Sequence, residues 1–376
     1  MIAFLAGEIY LRYEFRDPPQ RWVLPPNYLA YYTPTPGGTP GVQLGQHRFI
    51  TNEVGLRSDP VPHDNRRIIY VMGGSTSIDV WLDQSDAWPA VLQNLLNARP
   101  GKRPSWVANI SKWGLSSINH IMHFNDVVPY LPKPDIVVVL DGVNDMQRAL
   151  KTNFPGDITP EFEEQIAYQY IPPAGGFWTH FGYYRLYKRV QEIVHKLDTG
   201  PLLGGGADLY LPLRQCRQQI APDHLVTAYP DIKNGLEAFR GNLNQIVDRS
   251  EAMGAHVILA TQPSIWQKDM PPETAKLLLS GAIGFFSSWE NCNDAHYYAP
   301  ETLESALHQF NKVTMSVCRE RSVTCVDLEN LIPKSADYYF DDMHYTERGA
   351  HLVARYVADA VTDDNRVGHV TTKVGD

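Results

Sequence analysis

Four short segments of this chain hold residue types that acyl-ester cleavage needs. The segment MGGSTS brings Ser75 in behind two glycines at the end of an apolar run. A hydroxyl there would stand on the turn between a strand and a helix, exposed as a nucleophile must be. In NISKWGLSS, Gly114 offers a backbone N–H that can approach an oxyanion with no side chain intervening. The segment DGVND places the amide of Asn144 just past another apolar run, as a second donor. Near the C-terminus, YYFDDMHYTERGAH carries Asp341 three residues before His344, so that one short loop supplies both a base and the carboxylate that orients it. Asp342 is adjacent and could in principle approach the same ring. Each segment alone has an ordinary reading: a helix N-cap at Ser75, a plain turn at Gly114, an Asx turn on Asn144 and Asp145, a capping Asp beside a surface His. The argument lies in all four occurring together and in order.

Bringing them to one place needs a scaffold whose strand ends share an edge. RRIIYVMGGS is a short apolar, β-branched run bounded by turn residues, as are WVANI from Trp106, DIVVVL from Asp135, AHVILATQP from Ala255 and VTCVDL from Val323. Between and after them, DAWPAVLQNLLNA, GLEAFRGNLNQIVDRSEAMGA, PETLESALHQFNKVTMSVCRERS and the stretch following His344 space apolar residues three and four apart, as amphipathic helices do. Alternating strands and helices predict an α/β fold with a doubly wound parallel sheet, whose functional residues gather at the carboxyl ends of the strands. Residues 17–65, rich in Pro, Gly and Tyr, read as an extended arm with one hairpin. Two insertions, 151–235 and 264–300, interrupt the alternation. Their aromatic residues, among them Phe177, Trp178, Phe181, Tyr183, Tyr184, Phe285, Phe286 and Trp289, are expected to cover the site in part, with Trp178 and Trp289 the candidate substrate-binding residues. Gly204–Gly206 lacks the Lys-Ser/Thr ending of a phosphate loop and is expected to be a flexible turn.

With those segments in view, the chain resembles the GDSL/SGNH hydrolases, a family marked by four blocks containing Ser, Gly, Asn and His. The resemblance runs from about residue 66 to 360, through GGS at Gly73, WGLS at Trp113, GVND at Gly142 and DDMH at Asp341. It implies a flavodoxin-like sheet and a triad of Ser75, His344 and Asp341. It also implies an oxyanion hole made by the backbone N–H groups of Ser75 and Gly114 with the amide of Asn144. One departure stands out: the family's first block usually reads Gly-Asp-Ser, whereas Gly74 precedes Ser75 here. FITNEVGLRSD also resembles a segment of bacterial envelope proteins of this family, with Asn52, Gly55 and Arg57 as the similar positions. The expected organisation is an arm over residues 1–65, a hydrolase domain over 66–365 carrying the two insertions, and a tail over 366–376.

The net charge of -9, with Lys and Arg scattered, excludes the basic footprint of a nucleic-acid binder. Hydrophobic residues at 43% against 20% charged ones are the balance of a folded chain. Cys216, Cys292, Cys318 and Cys325 form no zinc-ligand spacing, so no metal is expected; the even count permits disulfides, and Cys318 with Cys325 is the pair close enough in sequence to be considered. The apolar opening, Met1 to Ala6, is too short to span a bilayer; it reads either as an amphipathic helix or as the tail of a membrane anchor. Together with the envelope-like segment this favours a bacterial periplasmic or surface protein. The expected reaction is hydrolysis of an O-acyl ester, such as an acetyl group on a carbohydrate, through an acyl-enzyme on Ser75 with no cofactor. Acyl transfer by the same residues and a silent glycan-binding domain are the alternatives.

Overall fold

The computed structural model describes residues 2–14, 22–152, 181–184, 186–187, 190, 202–283, 295–362 and 370–371. Five of its strands arise where β-branched runs must hide both faces: β3 (Arg67–Gly73), β4 (Ser105–Asn109), β5 (Ile136–Leu140), β8 (His256–Ala260) and β10 (Thr324–Val326). They lie in the order β4-β3-β5-β8-β10, all parallel, with β11 (Val370–Thr371) added outside β10. Taken in chain order the five core strands run 2-1-3-4-5, the flavodoxin-like order. The register seats Val71 opposite Val138 and Val138 opposite Ile258, and every residue of β5 is buried. Burying each such side chain contributes about 1.5–3 kcal/mol.

Helices cover both faces, because parallel strands need crossovers long enough to climb back. On one face α3 (Trp88–Asn97) packs against α11 (Glu347–Thr362). On the other, α4 (Ser117–Asp126), α5 (Val143–Thr152) and α9 (Pro300–Arg321) gather round α7 (Lys233–Ala252). Trp88, Trp106, Tyr70, Phe239 and Phe310 fill the layers on either side of the sheet.

The arm contributes α1 (Ile2–Glu14) and the expected hairpin, β1 (Leu29–Thr33) antiparallel to β2 (His47–Ile50), with Ala30 opposite Phe49. The free edge of β1 is taken in parallel by β6 (Leu202–Gly206). Gly204–Gly206 is therefore strand, not the turn its composition suggested. An open edge asks only for backbone donors and acceptors, which glycine supplies as well as any residue. The two insertions also pair with each other through β7 (Leu225–Val226) and β9 (Tyr297–Tyr298). Shorter helices complete the described chain: α2 (Ser75–Ile78), α6 (Leu211–Gln218), α8 (Pro272–Ala275) and α10 (Leu328–Leu331).

Cys318 and Cys325 form a disulfide with Cα atoms 5.9 Å apart, tying the end of α9 to β10. No helix among the described residues is long and apolar enough to cross a membrane.

Candidate functional site

The strand order reverses at β3, and the residue that follows it opens the site. β3 ends at Gly73, and Ser75 is the first residue of α2, partly exposed, while Thr76, Ser77 and Ile78 behind it are buried. Asn144, a few residues past the end of β5, sits in the first turn of α5. Gly114 adopts φ +77°, a conformation L side chains rarely take, within the bend that returns the chain from β4. That bend turns the carbonyl of Leu115 toward α5, where it accepts from Asn144 Nδ2 at 2.6 Å.

Three loops thus meet at Gly74. A Cβ at this position would lie 2.5 Å from Asn144 Nδ2 and 3.1 Å from Leu115 O. The departure from Gly-Asp-Ser has its physical reason here: the Asn144 amide occupies the space next to Ser75 that any side chain on residue 74 would need.

The third wall is the loop before α11. Nδ1 of His344 is 2.7 Å from Asp341 Oδ2, and an ionised carboxylate only accepts, so the proton on that nitrogen faces Asp341. Asp341 Oδ1 accepts the backbone N–H groups of Met343 (2.9 Å) and His344 (2.8 Å), which locks the carboxylate. Phe340 stacks on the imidazole with centroids 5.7 Å apart. Asp342 points elsewhere, accepting from Trp266 Nε1 and from the N–H groups of Leu279 and Ser280, and so anchors the chain after β8.

Burial would raise the Asp341 carboxyl, but the charge and hydrogen bond of His344, with the two backbone donors, hold it below the usual carboxylate value. For His344 burial acts downward, and Asp341, then Asp79 and Asp342, outweigh it and raise the imidazole above its ordinary value. Asp79, which follows α2, is thus within electrostatic reach of His344. Gln262, just past β8, meets the residue after Ser75: Thr76 Oγ1 donates to its Oε1 at 3.2 Å.

Sequence reasoning missed a buried polar cluster under the Gly114 bend. His120 and His123 lie one turn apart on α4 and share a ring-nitrogen contact of 3.3 Å, and His120 Nε2 meets Asp141 Oδ1 at 3.1 Å. Burial pushes Lys112 down to about 8, and burial, His120 and Lys112 push His123 well below its usual value. Burial, reinforced by Asp141, raises Asp145 to about 6 while Ser117 donates to it. The signal was present in NHIMH, whose two histidines fall on one helix face. Among the described residues no group of His, Cys, Asp or Glu is placed to hold a metal ion.

Trp178 and Trp289, with Phe177, Phe285 and Phe286, lie outside the described residues. Tyr183 is engaged with α1: it stacks on Phe4 at 4.7 Å, and its N–H and that of Gly182 donate to Glu8. An apolar cleft beside α5 is lined by Met146, Leu150, Trp266, Ile283, Tyr298 and Leu303.

A model of the GDSL-like lipase/acylhydrolase family matches residues 71–352. Similar solved structures include an acetylxylan esterase from Geobacillus stearothermophilus (12% identity, 78% of this chain and 94% of that one, TM-score 0.42). A lipase/acylhydrolase from Enterococcus faecalis is 13% identical over 79% of this chain and 96% of its own, with a TM-score of 0.39. An alpha/beta hydrolase from the metagenome of Lake Arreo, Spain, is 12% identical over 79% and 95%, with a TM-score of 0.43. No curated protein matches the chain significantly.

Proposed function

Because the chain belongs to the GDSL-like lipase/acylhydrolase family and is an ester-hydrolysing enzyme of that class, we propose that it is a serine esterase that deacylates an O-acyl ester through an acyl-enzyme on Ser75. The observation that carries this reading is the buried Asp341 carboxylate, locked by two backbone N–H groups and bonded to His344 Nδ1 at 2.7 Å. That bond sets the tautomer and leaves Nε2 to take a proton.

Ser75 Oγ attacks the ester carbonyl as His344 Nε2 accepts its proton, and Asp341 stabilises the imidazolium that forms. The tetrahedral oxyanion is held by the N–H groups of Ser75 and Gly114 and by the second amide hydrogen of Asn144, the first being held by Leu115 O. Collapse expels the alcohol, which takes the proton from His344. Water then gives a proton to the same nitrogen and attacks the acyl-enzyme, and the carboxylic acid leaves as Ser75 regains its hydrogen.

The substrate class we assign is an acylated carbohydrate with a short acyl group such as acetyl. It is supported by Tyr28, Tyr32 and Trp113, partly buried aromatics packed with Ile78 on the arm side of α2. We assign the protein to an oxidising bacterial envelope compartment, with the Cys318–Cys325 disulfide in support. The apolar side chains exposed on α1, Phe4, Leu5, Ile9 and Tyr10, support contact with a membrane surface.

Labelling with a fluorophosphonate and mass mapping of the adduct tests the mechanism. The label is expected on Ser75, and Ser75→Ala is expected to remain folded and lose several orders of magnitude in turnover of acetyl esters. Full activity in the alanine variant would overturn the assignment of Ser75, and absence of label from Ser75 together with absence of turnover would favour the silent glycan-binding domain.

A further inference from the structure

The helix that presents Ser75 is four residues long, too short to sustain itself by its own hydrogen bonds. Its carbonyls are satisfied almost entirely from outside. Only Ser75 O is met locally, by the N–H of Asp79 at 3.2 Å. Thr76 O accepts from Trp88 Nε1 (3.1 Å) and Ser77 O from Asn109 Nδ2 (2.9 Å). One side chain gathers the carbonyls that follow: Arg57 Nη1 donates to Ile78 O and Asp79 O, both at 2.5 Å, and Nη2 donates to Leu82 O at 2.7 Å, with Asp79 O also accepting from the Leu82 N–H at 3.0 Å.

Arg57 comes from the N-terminal arm and is only 3% exposed. Its Nε donates to Gln84 Oε1 at 3.1 Å, and its guanidinium lies 4.6 Å from the centroid of the Phe49 ring on β2. The loop that delivers it is shaped by two further arm residues. Asn52 Oδ1 accepts from the N–H groups of Val54 (3.1 Å) and Leu56 (3.0 Å), while its Nδ2 donates to Asp59 O (3.1 Å). Gly55, at φ +83°, passes so close to Leu24 O that no side chain would fit. The carbonyls at a helix C-terminus carry partial negative charge, so a cation there is the favoured partner, and a planar fork of donors can bridge several oxygens where an ammonium cannot.

From this geometry we propose that Arg57 is a positioning residue for Ser75, and that the arm, which lies outside the matched family region, is a working part of the esterase. The inference rests on the reading of Ser75 as the nucleophile. Without Arg57 the last turn of α2 loses its shared donor, and the Ser75 hydroxyl and N–H lose their fixed bearing on the carbonyl carbon and the oxyanion.

The test compares wild type, Arg57→Lys, Arg57→Ala and Val247→Ala, the last a cavity variant that controls for lost stability, placed in helix α7, which touches neither Ser75 nor Arg57 through any hydrogen bond. The readouts are the rate of fluorophosphonate labelling at Ser75 and kcat and KM on p-nitrophenyl acetate, taken well below each melting temperature. Both Arg57 variants are expected to lose about tenfold or more in labelling rate and kcat, with KM moved by no more than about twofold, the scale of a slightly misplaced reacting group. Methylguanidinium should restore part of the rate in Arg57→Ala, and Val247→Ala should label at the wild-type rate. Folded Arg57 variants that label as fast as wild type overturn the inference while leaving the esterase reading intact. A wild type that takes no label at Ser75 removes both. Should neither Arg57 variant fold, Gln84→Ala, which removes the acceptor shared by Arg57 Nε and the Ile50 N–H while leaving both Nη donors in place, is expected to slow labelling several-fold, and an unchanged rate there overturns the inference as well.

Discussion

Gly74→Ala is the perturbation for which the structure gives the sharpest expectation. Residue 74 has φ -93°, outside the left-handed region that glycine alone enters freely, so the substitution does not call for a left-handed backbone. What it introduces is one methyl group 2.5 Å from Asn144 Nδ2, where ordinary contact begins at 3.4 Å. The amide must retreat by about 0.9 Å, and being the end of a side chain it can do so without disturbing the backbone of α5. The loss in stability is then the Asn144–Leu115 hydrogen bond, about 1 kcal/mol, together with a small give of the Leu115 backbone, whose carbonyl oxygen lies 3.1 Å from the new methyl. The rate suffers more, because losing an oxyanion donor costs about a hundredfold or more and a shift of this size is enough to lose it. Steady-state kinetics on p-nitrophenyl acetate should show a fall of roughly that size in kcat with little change in KM, beside a small drop in melting temperature. Asn144→Ala should produce a comparable loss, and Gly74→Ala added to it should cost little more, because both remove the same donor. Wild-type kcat in Gly74→Ala, or losses that multiply in the double variant, would refute this account of the glycine.

Three further outcomes follow from the geometry. Asp341→Asn should lower kcat by about a thousandfold or more, through the wrong tautomer of His344. Asp342→Asn should leave kcat nearly intact but lower stability by about 1.5–3 kcal/mol, since its carboxylate accepts from Leu279, Ser280 and Trp266; the reverse ranking in purified variants would reassign the acid. The general base works only when neutral, so kcat/KM should rise with pH through the raised pKa of His344, with its acid limb centred above the ordinary 6.5. A limb centred below that value would contradict the pairing with Asp341. Replacing Cys318 and Cys325 by alanine opens a short loop and should cost about 2–3 kcal/mol, read as a lower denaturation midpoint with kcat unchanged. An unaltered midpoint would mean that the bond does not form in the native protein.

The scaffold was legible in the sequence because its signals are local. A strand buried on both faces must be apolar throughout, so runs such as IVVVL announce themselves, and all five core strands lie where those runs occur. Once the strands alternate with helices, right-handed crossovers bring their carboxyl ends to one edge, and Ser75, Gly114 and Asn144 each follow a strand there. The arm hairpin was readable for a similar reason, since Pro and Gly clusters punctuate it.

What sequence left open depends on contacts between distant segments. The choice between Asp341 and Asp342 turns on which carboxylate faces the ring and which faces Trp266, 76 residues away. Gly204–Gly206 became a strand because β1 had an edge to fill, and nothing in three glycines records a partner some 170 residues upstream. Gly74 and Arg57 show the same limit most plainly. Periodicity reports which face of an element is buried; it does not report that an amide from α5 will occupy the space beside Gly74, or that the carbonyls ending α2 will converge on a guanidinium from the arm. The sequence by itself determined the sheet, the edge and the residues that stand along it. Their exact bearing was decided by packing, because hydrogen bonds a few ångströms long are set only when all the elements have come together.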